Sequence, residues 1–156
     1  QIALLRLAYL IQFAFPGAPA IYYGDEIGLA GGKDPDCRRT FPWDPQRWKT
    51  EILEWVQQLT AARKAMTALR RGEFASLCVD DAAGVYAFSR QAPDDLAVAV
   101  IHARAEVQEI LLPLKGTWTP GQKVRDWMSG AEVQVEADGL RLSLQPYQGM
   151  LLHAVD

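Results

Sequence analysis

The chain has 156 residues, of which 49% are hydrophobic and 22% charged, the composition of a globular protein with room for one domain or two small ones. A formal net charge of −3 excludes the basic footprint of a nucleic-acid binder and the polybasic patch that holds a protein to an anionic membrane. The two cysteines, Cys37 and Cys78, form no CxxC pair and read as free thiols of a reducing compartment, the cytoplasm, and with only two histidines, His102 and His153, a four-ligand zinc site lacks donors at suitable spacing.

In residues 1–15, Leu4, Leu7, Ala8, Ile11 and Phe15 recur at spacings of three and four, which predicts an amphipathic helix with that face buried. The run and the following GAPA imitate a signal peptide. Arg6 and Gln12 interrupt it, however, and it is short of the roughly 20 apolar residues that span a bilayer. It reads as a buried helix entered mid-course and ended by Pro16-Gly17. Residues 20–23, AIYY, are β-prone and apolar on both faces, which predicts a strand covered on both sides, as in a parallel sheet.

Residues 24–44 are rich in glycine and proline and read as one long loop. A loop of that length inside a compact domain is functional or disordered. Asp44-Pro45 signals a helix start, with Asp as N-cap and Pro in the first turn. Trp48, Ile52, Trp55, Val56, Leu59, Ala62, Met66 and Leu69 then mark one face of a helix over 46–71. Arg70 and Arg71 suit its C-terminal end, and Gly72 suits its cap.

After Gly72 the pattern changes to short β-prone runs at 74–79, 85–90, 96–102, 107–112, 124–128, 132–135, 140–144 and 149–153. Turn signals separate them, among them Pro93-Asp94-Asp95, Lys115-Gly116, Pro120-Gly121 and Asp138-Gly139. This predicts an antiparallel β-sandwich over 72–156, with a hairpin at Asp138-Gly139. Trp118 and Trp127 fall in that half and read as core or interface residues.

The blocks GAPAIYYGDEIGL and GGKDPDCRRTFPWD closely resemble the end of the alpha-amylase family of glycoside hydrolases, nearest to the neopullulanase, cyclomaltodextrinase and maltogenic amylase group. The resemblance covers the whole chain in element order, and its motifs lie in 17–44. It implies that residues 1–71 are the C-terminal end of a (β/α)₈ barrel: its seventh helix, its eighth strand at 20–23, the loop after that strand and its eighth helix. Residues 72–156 would be the C-terminal β-domain. The loop 24–44 would then face the substrate cleft, because barrel sites form at the C-terminal ends of the strands. In place of the CMxW-type sequence frequent in that group, this chain has Thr40-Phe41-Pro42-Trp43, which leaves substrate preference open.

Retaining glycoside hydrolysis needs two carboxyl groups about 5–5.5 Å apart. In the resembled family these groups, and a third carboxylate, end strands four, five and seven, all upstream of residue 1. No catalytic residue is therefore expected in this chain. Asp25 and Glu26 are adjacent and would point apart in an extended segment, which suits capping or pairing with arginine. The resemblance implies that Asp34 and Arg38 bind glucose units on the non-reducing side of the scissile bond. A carboxylate accepts from vicinal hydroxyls and a guanidinium donates to ring oxygens; an internal pair that shapes the loop is compatible with that role. Phe41 and Trp43 read as packing residues or as faces for sugar stacking, and Tyr22 and Tyr23 as strand core.

The expected parent is a retaining glycosidase of alpha-1,4 linkages, with alpha-1,6 as a wider option, in maltodextrin, cyclodextrin or pullulan. The alternatives are a transglycosylase of the same family and a non-catalytic carbohydrate-binding or interaction module derived from it. No cofactor is expected, because Asp34 and Asp36 are too few for a tight calcium site of six to eight oxygens. The partners expected are an alpha-glucan and the missing part of the barrel. The isolated chain is expected to associate through residues 1–70 or to pack them against its own β-domain.

Overall fold

The computed structural model describes residues 2–113 and 116–155. Helix α1 (Ile2–Ala14) comes first, followed by single 3₁₀ turns at Asp25–Ile27, Asp36–Arg38 and Pro45–Arg47. Helices α2 (Thr50–Ala65) and α3 (Thr67–Arg71) complete the helical layer. Among the described residues eight strands follow: β1 (Glu73–Asp80), β2 (Val85–Ala92), β3 (Asp95–His102), β4 (Gln108–Leu112), β5 (Lys123–Asp126), β6 (Glu132–Gln134), β7 (Leu140–Leu144) and β8 (Gly149–Ala154). They make a six-stranded sheet in the order β1-β2-β3-β8-β5-β6 and a two-stranded sheet of β4 and β7. Every pairing is antiparallel. Of the turn signals read from sequence, Lys115 lies outside the described residues, as does Gln1.

The six-stranded sheet is the middle of three layers, and β3 shows how one sequence serves both of its faces. Side chains alternate across a strand. Ala97, Ala99 and Ile101 therefore join Phe88 and Leu151 in a core shared with Leu7, Leu10, Phe13, Ile52, Leu59 and Leu69 of the helices. Val98 and Val100 join Ala87, Leu112, Trp118, Leu140, Leu144 and Leu152 in a second core under the two-stranded sheet. The helices are thus packed on the chain's own sheet, one of the two outcomes expected for residues 1–70. Trp127 ties the sheet to the helices, its indole N–H donating to Gln58 O (3.2 Å), while that of Trp55 donates to Arg6 O (3.0 Å) and joins α2 to α1 within the helical layer.

The structure corrects several sequence expectations. Residues 20–23 form no strand, and Ile21, Tyr22 and Tyr23 are exposed. A strand needs a neighbour for its backbone groups, and none of the eight strands runs beside this segment. The buried face of α1 is Leu7, Tyr9, Leu10, Phe13 and Ala14, whereas Leu4, Ala8, Ile11 and Phe15 are exposed. The single helix over 46–71 is divided at Met66, whose extended backbone (φ −91°, ψ 114°) separates α2 from α3. Asp44 caps as expected, but the turn it caps is the 3₁₀ turn at Pro45–Arg47, where its carboxylate accepts from Gln46 N at 3.0 Å.

Gly72 ends α3 without a left-handed conformation (φ −67°). Glycine stands there because a Cβ would lie 2.5 Å from Ala68 O and 2.8 Å from Gln91 N. The Asp138-Gly139 turn is tight, with Glu136 N donating to Gly139 O at 2.9 Å. It is nevertheless no hairpin, because β6 pairs with β5 and β7 with β4. The turn instead carries the chain from one sheet of the sandwich to the other.

Candidate functional site

The loop between α1 and α2 holds every candidate site residue. It is not a coil left to itself. Glu26 turns back and accepts from Gly24 N at 2.8 Å, while Lys49 N donates to Ile27 O at 3.0 Å and ties the loop's start to its end. Asp36 is the central fastener. Its two oxygens accept from Arg39 Nε (2.6 Å) and Arg39 Nη2 (2.8 Å), a fork-on-fork geometry that suits guanidinium and carboxylate. Oδ2 also accepts from Gly32 N at 2.7 Å. The hydrogen bonds from Arg39, and after them the one from Gly32, hold the Asp36 carboxyl below the usual carboxylate range. Tyr23 Oη donates to Arg39 O at 3.0 Å and joins this clamp to the preceding segment.

Asp34 and Arg38 sit on the outer side of the same turn. Arg38 Nε lies 3.1 Å from Asp34 Oδ1, and both side chains are about two-thirds exposed. The two predicted site residues are therefore brought together, paired with each other and open to solvent. Beside them Tyr22, Tyr23, Leu29, Asp36 and Arg39 line an open cleft. Tyr22 and Tyr23, expected in a strand core, stack at 4.6 Å between ring centroids in this exposed wall. An apolar β-prone run gave no sign of that placement.

The loop then rises to an aromatic cluster. Phe41 lies 4.9 Å from Trp43 and 6.0 Å from Trp48. Trp43 is 83% exposed, more than any other large hydrophobic residue described. Cys37 and Cys78 are free thiols. Among the described residues no group of three or more His, Cys, Asp or Glu side chains is placed to hold a metal ion, and no helix is long and apolar enough to cross a membrane.

Chemically, the loop offers recognition. Glu26 and Asp36 are occupied by backbone N–H groups and, for Asp36, by a guanidinium as well. The Asp36 carboxyl, held low by Arg39 and Gly32, stays ionised, whereas a general acid in glycoside cleavage has its pKa raised. The exposed Asp34–Arg38 pair presents acceptors and donors that polyhydroxylated ligands can meet.

No family model matches the chain. Among curated proteins it is 38% identical, over 154 residues, to a cyclomaltodextrinase of Geobacillus thermopakistaniensis, and 39% identical, over 150 residues, to neopullulanase 2 of Thermoactinomyces vulgaris. These alignments take in 97% and 96% of the chain but only 25% of either relative. In structure it is similar to an alpha-amylase of Geobacillus thermoleovorans solved with acarbose, at a TM-score of 0.88 and 28% identity. That match covers 99% of the chain and 34% of the amylase. A solved cyclomaltodextrinase matches with a TM-score of 0.84 and 26% identity, over 96% of the chain and 25% of that protein.

Proposed function

We propose, from the premise that this chain belongs with the C-terminal part of alpha-amylase family enzymes, that it supplies one wall of the glucan cleft of a retaining glycosidase. The parent hydrolyses alpha-1,4 linkages, and in the wider case alpha-1,6 linkages, of maltodextrin, cyclodextrin or pullulan. Residues 1–71 are the end of the catalytic barrel and 72–156 its C-terminal β-domain. The catalytic carboxylates lie on segments outside this chain, and its two free thiols fit a cytoplasmic enzyme.

The observation that carries the reading is the Asp34–Arg38 pair, exposed and held at 3.1 Å on a loop that Asp36 and Arg39 keep in shape. A glucosyl unit's vicinal hydroxyls would replace part of this mutual pairing, with the carboxylate accepting and the guanidinium donating. Exposed pairs of this kind contribute at most about 1 kcal/mol to stability, so their conversion to ligand contacts costs the fold little.

The test is release of reducing sugar from cyclodextrin, maltodextrin and pullulan by the full-length protein. Asp34→Ala and Arg38→Ala are each expected to raise KM about tenfold, the cost of losing one charge-assisted hydrogen bond, and to leave the melting temperature unchanged. The isolated chain is expected to release nothing. Unchanged KM in both variants, or turnover by the chain alone, would overturn the reading. A non-catalytic module of the same family is the second reading; a full-length protein that binds glucan without turnover would establish it.

A further inference from the structure

Trp43 is the most exposed large hydrophobic residue of the described chain, at 83%. Exposure of that order usually belongs to a side chain on a loose tip. Here the backbone is fastened on both sides of the indole. Before it, Pro42 is buried and its carbonyl accepts from Trp48 Nε1 at 2.6 Å. After it, the Asp44 carboxylate accepts from Gln46 N at 3.0 Å and fixes the entry to the following turn. Phe41 backs the ring on one side, 4.9 Å away, and is itself braced edge-on by Trp48. The loop therefore holds a flat apolar surface out into water on an anchored stem.

We infer that Trp43 is a stacking platform for the apolar face of a glucosyl unit, five positions after Arg38 on the same loop. The inference rests on the glycosidase reading above and extends it. A pyranose has two recognition surfaces, a rim of hydroxyls and a face of C–H groups. Asp34 and Arg38 can satisfy only the rim. An aromatic ring covers the face and fixes orientation without a side-chain rearrangement on binding. Trp43 follows Arg38 by five positions, so their Cα atoms lie no more than about 18 Å apart. A maltohexaose can reach across even that full distance, so a longer glucan is the ligand able to meet the pair and the ring together, and the platform is assigned to chain length and not to the bond being cut.

The experiment measures kcat and KM of the full-length protein with maltotriose and with maltohexaose, for Trp43→Leu, Trp43→Phe, Asp34→Ala and Arg38→Ala. Trp43→Leu is expected to raise KM for maltohexaose about tenfold and for maltotriose less than about twofold, with kcat held, as for loss of one aromatic anchor. Trp43→Phe, which keeps a flat ring, is expected to stay within about threefold of the parent. Equal effects on both substrates, or no effect on maltohexaose, would overturn the inference. So would a lowered melting temperature or a changed molecular mass in light scattering with the KM ratio intact, since Trp43 would then be docked on polypeptide. If Trp43→Leu is silent while Asp34→Ala and Arg38→Ala raise KM, the platform alone falls. If those two are also silent, or no glucan is turned over, the glycosidase reading falls with it.

Discussion

Two residues in the helical half show how local contacts set protonation. The guanidinium of Arg39 keeps the Asp36 carboxyl ionised below the usual range, so the clamp's contribution is in place at neutral pH and is lost as pH falls through that lowered pKa. A carboxyl-carbon NMR titration should place Asp36 below an ordinary aspartate, and Arg39→Ala should move the midpoint upward. At the other end of the scale, burial, and after it the charges of Asp25 and Glu26, push the Tyr9 hydroxyl up to about 12. Its O–H donates to Asp25 O at 2.8 Å. Because the folded value lies above the unfolded one, this contribution is complete below the unfolded pKa of about 10 and disappears as pH rises toward the folded value. Alkaline unfolding followed by phenolate absorbance should show the loss, and Tyr9→Phe should flatten that part of the pH dependence.

Among the elements, the strands were the most legible. Each of the eight falls on a run predicted from alternation and turn residues, because the period of two is fixed by the backbone itself. The face of α1 was not legible. In IALLRLAYLIQFA nearly every position is apolar, so spacing alone offers several faces and the sheet beneath selects one. The AIYY run failed for a different reason: strand propensity states what a segment accepts, and pairing depends on a neighbour. At the site, the pairing of Asp34 with Arg38 was foreseen as a possibility. The fork of Asp36 and Arg39 was missed, although three-residue spacing within a turn was a signal that could have suggested it. Gly72 was read correctly as an end and incorrectly as a left-handed one. Its requirement is space, so Gly72→Ala should destabilise by about 1–3 kcal/mol through overpacking against β2, read as a lower urea midpoint at unchanged slope.

At the scale of the whole molecule, the helices and the six-stranded sheet hold one core between them. Leu10 is fully buried in it, close enough to β8 that a Cβ on Gly149 would lie 2.5 Å from its Cδ2. Leu10→Ala should cost about 3 kcal/mol. It should also lower protection of β3 and β8 amides against hydrogen exchange, although the substitution lies in a helix; protection lost from α1 alone would show the layers to be independent.

The two faces of β3 have a consequence for inheritance. A strand whose odd residues belong to one core and whose even residues belong to another cannot be exchanged with only one of its neighbours. Recombination that replaced the strands and kept a foreign helical layer would set Ala97, Ala99 and Ile101 against surfaces they never met. Those alanines share their core with the larger Phe88, Phe13 and Leu10. What must stay in step is therefore the helical layer, the six-stranded sheet and the two-stranded sheet together, while the loop between α1 and α2 is free to vary in Trp43 or Arg38, which belong to neither core.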